Sequence, residues 1–369
     1  MIAVLAYIAL GFLLIRMSIS LANLLLPVVL RAGKHPPTVQ LSILIPARNE
    51  AKNLPDLLDK LTQAIRPGTE IIVYDDASED ESPAILESYR KKYPAIRVLK
   101  GEGPPPGWLG KNYACHQLAE AARGDFLLFL DADVHPQAGL IGAMTARMEK
   151  YRLDLLSLFP TQEMHSAGEI RSVPLMNYIL LSLLPLTLTR LSRNPAFSAA
   201  NGQCMLFRAS AYRTYRFHEK LKKEAVEDIR IMKEMKQLRL RTETLLGGQY
   251  ISCRMYASYQ EAKEGFARNI HHYFGNSFFL MALFAFFTTT GPLLSWLAWS
   301  WAGLIFYLFG AAFIRFTTAW RSGQDARVLL TRHPLLHWSM LKIMLYSLRA
   351  TQKRKLRWKG RNILSPDVK

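Results

Sequence analysis

Residues 126–136 read FLLFLDADVHP, five apolar residues that stop at two carboxylates, Asp131 and Asp133, with Pro136 three positions further on. A run this short and this apolar, closed by a proline, has the pattern of a strand buried on both faces of a parallel sheet. The carboxylates then fall just past the carboxyl end of that strand. Open α/β sheets collect their ligands at that edge.

Working outward, the same unit recurs upstream. LSILIPARNE is an apolar strand with a polar loop, followed by a helical stretch through AKNLPDLLDKLTQAI. TEIIVYDDASED is a strand running into an acidic loop, and SPAILESYRKKYP is its helix. IRVLKG supplies a third strand, and GWLGKNYACHQLAEAARG a helix that leads into residues 126–130. Strand alternating with helix predicts an α/β fold with a mostly parallel, doubly wound sheet. Downstream, LDLLSLFP and AANGQCMLFR read as further strands and KEAVEDIRIMKEMKQL as a helix. VPLMNYILLSLLPLTLTRL, interrupted by prolines, reads either as a buried helix or as an element lying against a bilayer. No fixed-period repeat is evident.

Half of the 369 residues are hydrophobic, and they concentrate at the N-terminus and again between about residues 277 and 314. The N-terminal segment has no basic leader, carries Arg16 in its middle and is longer than the apolar core of a signal peptide, so it reads as a retained anchor over residues 1–30. The block from Ser277 has no charge until Arg315, room for two spans, with Gly291-Pro292 as the expected break. LLHWSMLKIMLYSL is short for a span and contains Lys342, which places it at an interface. The expected organisation is an anchor at 1–30, a catalytic domain at 40–275, two transmembrane helices at 276–315 and a basic cytoplasmic or interfacial tail at 316–369.

The formal net charge is +18. Arg31 and Lys34 follow the first apolar segment, and Arg321, Arg327, Arg332 and the string KRKLRWKGR follow the last. That distribution fits a cytoplasmic body beside a cell membrane with anionic headgroups. No nucleic-acid motif accompanies it, so a nucleic-acid partner is not expected. Three widely spaced cysteines, Cys115, Cys204 and Cys253, define neither a disulfide framework nor a zinc site. Cys115-His116 and His271-His272 are adjacent pairs, expected to point to different faces and to be structural.

Three acidic places lie at strand ends or a helix start: Asp75-Asp76, Asp131-Ala132-Asp133 and Glu227-Asp228. Carboxylates one residue apart can approach one divalent cation while substrate phosphates complete its shell. Haloacid-dehalogenase-type phosphatases also place D-x-D after a strand, but in the first strand of the domain, whereas here three strand units come first.

The succession IPARNE, VYDDASEDE, GWLGKNYAC, LFLDADVHP, AANGQCMLFR and VEDIRIMKE resembles the motifs of family 2 glycosyltransferases with the GT-A fold, over roughly residues 40 to 275. PPGWLGKNYAC and RWKGR resemble the membrane-bound branch that includes hopanoid-biosynthesis-associated and carotenoid (diaponeurosporenoate) enzymes. The resemblance implies a nucleotide-sugar site. Ala47, Arg48, Glu50, Asp75 and Asp76 would hold the nucleotide, Lys111 the diphosphate, and Asp131 the sugar and ribose. Asp133 would bind Mg²⁺ or Mn²⁺, and Asp228 would be the catalytic base, with Glu227, Gly202 and Gln203 near the acceptor.

A UDP-sugar is favoured as donor, with a GDP-sugar as the alternative. The processive Q-x-x-R-W string is absent after the acidic pair, where YQEAKEGFARNIHHYFGN stands instead. A single inverting transfer to a lipid or other hydrophobic acceptor is therefore expected. The alternatives are transfer to a polyprenyl phosphate or polysaccharide, and a non-catalytic sugar-binding membrane protein of the same fold.

Overall fold

The computed structural model describes residues 1–33, 39–65 and 67–352, and the backbone of 357–358 and 361–362. Most of the linker AGKHPPTVQ and of the basic string KRKLRWKGR lies outside the described residues. Helix α1 (Ile2–Leu25) comes first. β1 (Leu41–Ala47), α2 (Leu54–Gln63), β2 (Thr69–Asp76), α3 (Ser82–Lys92), β3 (Ile96–Gly101), α4 (Gly110–Ala121) and β4 (Phe126–Leu130) then alternate. β5 (Val134–Pro136), α5 (Leu140–Tyr151), β6 (Leu155–Phe159) and β7 (Thr161–Gln162) follow, then α6 (Ala167–Ile170), α7 (Leu175–Leu183) and α8 (Leu188–Leu191). β8 (Cys204–Arg208), α9 (Ala209–Tyr215), α10 (Phe217–Lys220), α11 (Glu227–Gln237), β9 (Thr242–Leu246) and β10 (Ile251–Cys253) complete the sheet-bearing part. The last helices are α12 (Tyr259–Asn269), α13 (Phe278–Arg321), α14 (Ala326–Thr331) and α15 (His333–Gln352).

Two compact units form. One comprises Val28–Thr161 and Thr187–Arg254; the other comprises Met1–Pro27, Gln162–Leu186 and the chain from Met255 through α15.

The first unit is built on a seven-stranded sheet of order β3-β2-β1-β4-β8-β6-β9. β1, β2, β3 and β4 are parallel, while β8 runs antiparallel to both β4 and β6. All five residues of β4 are buried, as its unbroken apolar sequence requires for a central strand covered on both faces. Phe129 packs edge-on against Phe207 of β8, with ring centroids 5.6 Å apart, and Tyr212 and His218 close the same cluster. A buried aromatic or leucine contributes about 1.5–3 kcal/mol relative to an exposed one. The register pairs Ala47 with Asp75 and Leu44 with Phe129, so the loops after β1, β2 and β4 emerge at one edge.

The second unit is helical. α1 and α13 are each long and apolar enough to cross a membrane. Large apolar side chains stay exposed along both, among them Tyr7, Ile15, Phe279, Trp301, Phe309 and Trp320.

The break expected at Gly291-Pro292 is elsewhere: backbone torsions leave the helical range at Trp299 and Ser300, where Ser300 has φ 56°. Gly291 serves a different purpose. A Cβ there would lie 2.3 Å from the Tyr307 ring, and Tyr307 donates its hydroxyl to the Phe287 carbonyl at 2.7 Å. The glycine makes room for the second arm to pack on the first, and Pro292 sits within the first arm.

The 173–191 stretch resolves into α7 and α8, and α7 is buried on most of its faces. His271 and His272 depart from expectation, because they lie in a 3₁₀ turn with ring centroids 4.1 Å apart rather than on separate faces.

Candidate active site

The carboxyl edge of the parallel strands carries a cavity of about 120 Å³ lined by Ala47, Arg48, Glu50, Asp76, Lys111, Asp131 and Asp133, together with Pro46, Gly110, Ala114 and Ala132. Strand register explains the gathering. β1 delivers Ala47 and Arg48, β2 delivers Asp76, β4 delivers Asp131 and Asp133, and α4 begins at Gly110 so that Lys111 stands in its first turn. A larger cavity, about 450 Å³, lies at the opposite strand ends beside Asp125, Arg208 and Arg213, away from this chemistry.

Lys111 is the hub. Its Nζ lies 2.8 Å from Asp131 Oδ2 and 3.6 Å from Glu227 Oε1. Burial works against the charge on Lys111, but Asp131 and Glu227 outweigh it and hold the ammonium well above its ordinary pKa. Glu227 and Asp228 open α11, where the helix dipole favours negative charge.

Asp228 Oδ2 accepts the Gly202 backbone N–H at 2.9 Å, and Oδ1 accepts its own neighbour, the Ile229 N–H, at 2.7 Å. Both carboxylates are pushed above their ordinary pKa, chiefly by burial, with Lys111 opposing. Glu227 is buried whereas Asp228 is half-buried, so Asp228 is the one open to an incoming group.

Asp133 is also pushed upward, first by burial and then by the charges of Asp131 and Glu50. Gln203 Nε2 partly offsets this by donating to both Asp133 oxygens at 3.3 Å, and it also reaches Cys253 Sγ at 2.9 Å. The Asp131 N–H donates to the Gln203 carbonyl at 3.1 Å, tying the β4 and β8 ends together. Among the described residues no three His, Cys, Asp or Glu side chains form an all-protein metal cage. A carboxylate whose charge is disfavoured by its acidic neighbours, in an open pocket, fits instead a cation whose remaining ligands come from a phosphorylated substrate.

Of two expected nucleotide-site residues, Arg48 lines the cavity and Asp75 does not. Asp75 does not line the cavity: its Oδ1 accepts the Ser78 N–H at 3.1 Å and shapes the turn, leaving the pocket wall to Asp76. Arg48 spends Nη1 on the Asp76 and Ala77 carbonyls at 2.7 and 3.2 Å, and pairs with Glu79 at 3.3 Å.

One residue was missed. Asn112, 1% exposed, donates from Nδ2 to the Leu221 and Glu224 carbonyls at 2.8 and 3.0 Å and so fixes the chain leading into Glu227. The signal was its place beside Lys111 in an amphipathic helix, on the side that faces inward. Cys115 is core, and His116 stacks on Trp108 at 5.2 Å, so the pair forms no nucleophile and base.

Residues 42–216 match the family described as Glycosyl transferase family 2. The 4,4'-diaponeurosporenoate glycosyltransferase of Staphylococcus haemolyticus (strain JCSC1435) is 28% identical over 239 residues, 63% of this chain, and the chain spans only 61% of that relative's length. The protein of the same name from Staphylococcus aureus (strain USA300) is 25% identical over 337 residues, 87% of each chain. Among solved structures, the mannosyltransferase PcManGT from Pyrobaculum calidifontis, in complex with GDP-Man and Mn²⁺, has a TM-score of 0.59 at 15% identity. That likeness covers 96% of this chain and 100% of the other, and shows a shared fold.

Proposed function

We propose that this chain, whose residues 42–216 match the Glycosyl transferase family 2 model and whose fold is shared with PcManGT, moves one sugar from a nucleotide-sugar to a lipophilic acceptor at a membrane surface, with inversion at the anomeric carbon. The observation that carries the reading is the meeting of Lys111, Asp131 and Glu227 within 4 Å, beside Asp133 and with Asp228 in the adjoining turn.

In this reading Ala47, Arg48, Glu50 and Asp76 border the nucleotide, and Lys111 leaves its carboxylate partners to meet the diphosphate, where a charge-assisted contact is strongest. Asp131 turns to the sugar and ribose. Asp228 takes the proton of the acceptor hydroxyl as that oxygen attacks; its raised pKa brings it closer to working pH, where a base is most effective. Gly202 holds the carboxylate in place through its N–H. Asp133 would hold Mg²⁺ or Mn²⁺, and such an ion neutralises charge on the departing nucleoside diphosphate. PcManGT was solved in complex with GDP-Man and Mn²⁺, which supports the choice of ions to be tried and keeps GDP-sugars beside UDP-sugars in the panel.

The relatives are named for 4,4'-diaponeurosporenoate, which supports a lipophilic acceptor. The exposed apolar faces of α1 and α13 support location in the cell membrane as a multi-pass protein, and basic residues around the apolar segments favour a cytoplasmic catalytic unit. Tethering would confine enzyme and acceptor to one surface and lower the orientational cost of their encounter.

The test is a panel of UDP- and GDP-sugars with Mn²⁺ or Mg²⁺ on the detergent-purified full chain, scored by thermal stabilisation and by chromatography of lipid extracts. One donor stabilises the protein and yields a single neutral glycolipid. No donor response, or a ladder of products, contradicts the reading.

A further inference from the structure

The helical unit holds two arginines that the proposed chemistry does not use. Arg16, in the middle of α1, and Arg315, in the second arm of α13, are each 2% exposed. Their guanidinium carbons lie 5.0 and 3.8 Å from the centroid of one ring, that of Tyr178 on α7. Arg16 also rests over Phe12 and Phe284, at 5.5 and 4.8 Å.

Their polar contacts are few. Nε and Nη2 of Arg16 donate to Ser182 Oγ at 3.4 and 3.1 Å. Nε of Arg315 donates to His333 Nδ1 at 3.3 Å.

Among the described residues, none of the acids of this unit pairs with either arginine. Glu169 accepts the His165 and Ser166 N–H groups, Glu163 lies 3.7 Å from His165, and Glu261 accepts the Ala257 N–H. Glu264 accepts from Gln260, and Asp325 caps α14.

A guanidinium carries five N–H donors and does not lose its proton in a protein. Placing such an ion in an apolar bundle carries a desolvation penalty that contact with an aromatic face recovers only in part. Two like charges against one ring, without a carboxylate among the described residues, call for an anion from outside the chain. Arginine forks match carboxylate and phosphate oxygens in pairs, and charged side chains retained among apolar helices mark ligand sites. The helices that present them expose long apolar faces, so the matching ligand has a hydrocarbon tail beside its charge.

We infer that Arg16, Arg315, Tyr178 and Ser182 form a binding site for the anionic head of a long-chain amphiphile, carboxylate or phosphate, whose tail lies along α1 and α13. The inference rests on the membrane placement proposed above and not on the transfer chemistry.

The experiment uses the full chain in neutral detergent, titrated with oleate, oleyl alcohol, dioleoylphosphatidylglycerol, dioleoylphosphatidylcholine and inorganic phosphate, and read by thermal shift and by adducts in native mass spectrometry. Oleate or phosphatidylglycerol should act at a concentration at least tenfold below its uncharged or zwitterionic counterpart. Arg16→Gln and Arg315→Gln should each abolish that preference, and the lysine replacements should retain part of it. Nucleotide-sugar binding in the same preparations checks that the variants are folded, and the wild-type comparison of headgroups needs no variant. A response to oleate alone assigns a fatty carboxylate, and a response to phosphatidylglycerol alone assigns a phosphate lipid.

Equal responses to charged and uncharged chains, an equal response to inorganic phosphate, or a preference unchanged in both glutamine variants would overturn the inference. If no sugar is transferred while the headgroup preference persists, the proposed activity fails and this site stands; the opposite result removes the site alone.

Discussion

Gly202 donates its backbone N–H to Asp228 Oδ2 at 2.9 Å, joining the turn before β8 to the first turn of α11 across 26 residues of chain. A Cβ on Gly202 would lie 3.2 Å from Lys111 Nζ, 3.3 Å from Glu227 Oε1 and 3.6 Å from Asp228 Oδ2. Those atoms are the mobile ends of side chains, so Gly202→Ala should fold. It should nevertheless displace the charged triplet and lower kcat about tenfold or more, since small misplacements of a positioned group cost up to about a hundredfold. Unchanged kcat would show that the carboxylate needs no such orientation.

Lys111→Met removes a cation shared by Asp131 and Glu227. Loss of a charge-assisted contact to a diphosphate is worth about 1.5–3 kcal/mol, or about ten- to a hundredfold in the Kd of the donor. Lys111→Arg should recover part of the affinity. Titration of the donor against intrinsic fluorescence checks both, and an unaltered Kd in the methionine variant would move the diphosphate elsewhere.

Asn112→Ala leaves the Leu221 and Glu224 carbonyls without their buried donor. The cost should be about 2–3 kcal/mol, seen as a fall of about 3–4 °C in the unfolding temperature of the full chain. Thermal unfolding with and without donor measures it, and a change below 1 °C would mean that the segment before α11 is held by other contacts.

His218 sets a pH dependence of stability. Burial first, then the positive charge of Lys111, lowers its pKa to about 3, and its Nδ1 shares a 2.7 Å hydrogen bond with Tyr212. Between the unfolded value near 6.5 and about 3, the unfolded chain binds more protons than the folded one, so this contribution is intact above pH 6.5 and is lost as pH falls. The slope attributable to one such group is about 1.4 kcal/mol per pH unit. Stability curves from pH 7 to pH 4 should be shallower by that amount in His218→Gln, and parallel curves would exclude His218 as the sensor.

Much of this was readable from residues alone, for definite reasons. A run such as FLLFL has no polar face, so as a strand it had to be covered on both sides, and the parallel register then brought Ala47, Asp76 and Asp131 to one edge. The break in α13 was not readable, because glycine and proline mark helix ends only when nothing packs on them, and here Gly291 accepts the Tyr307 ring. Asp75 and Asp76 are equivalent as letters. Their alternation along β2 sends one into a turn and the other to the pocket, a distinction that depends on the sheet face. Arg16 and Arg315 are 299 residues apart, and only folding of the helical unit brings both to Tyr178.

The most direct measurement compares Asp133→Ala and Asp228→Asn in one full-length preparation, scoring Mn²⁺-dependent donor binding and lipid-product formation together. Asp228→Asn should bind donor as the wild type does and form product about a hundred- to ten-thousandfold more slowly, the usual contribution of a positioned base; Asp133→Ala should lose the metal-dependent part of donor binding. Product formation by Asp228→Asn at the wild-type rate, or metal-dependent binding unchanged in Asp133→Ala, would contradict the account.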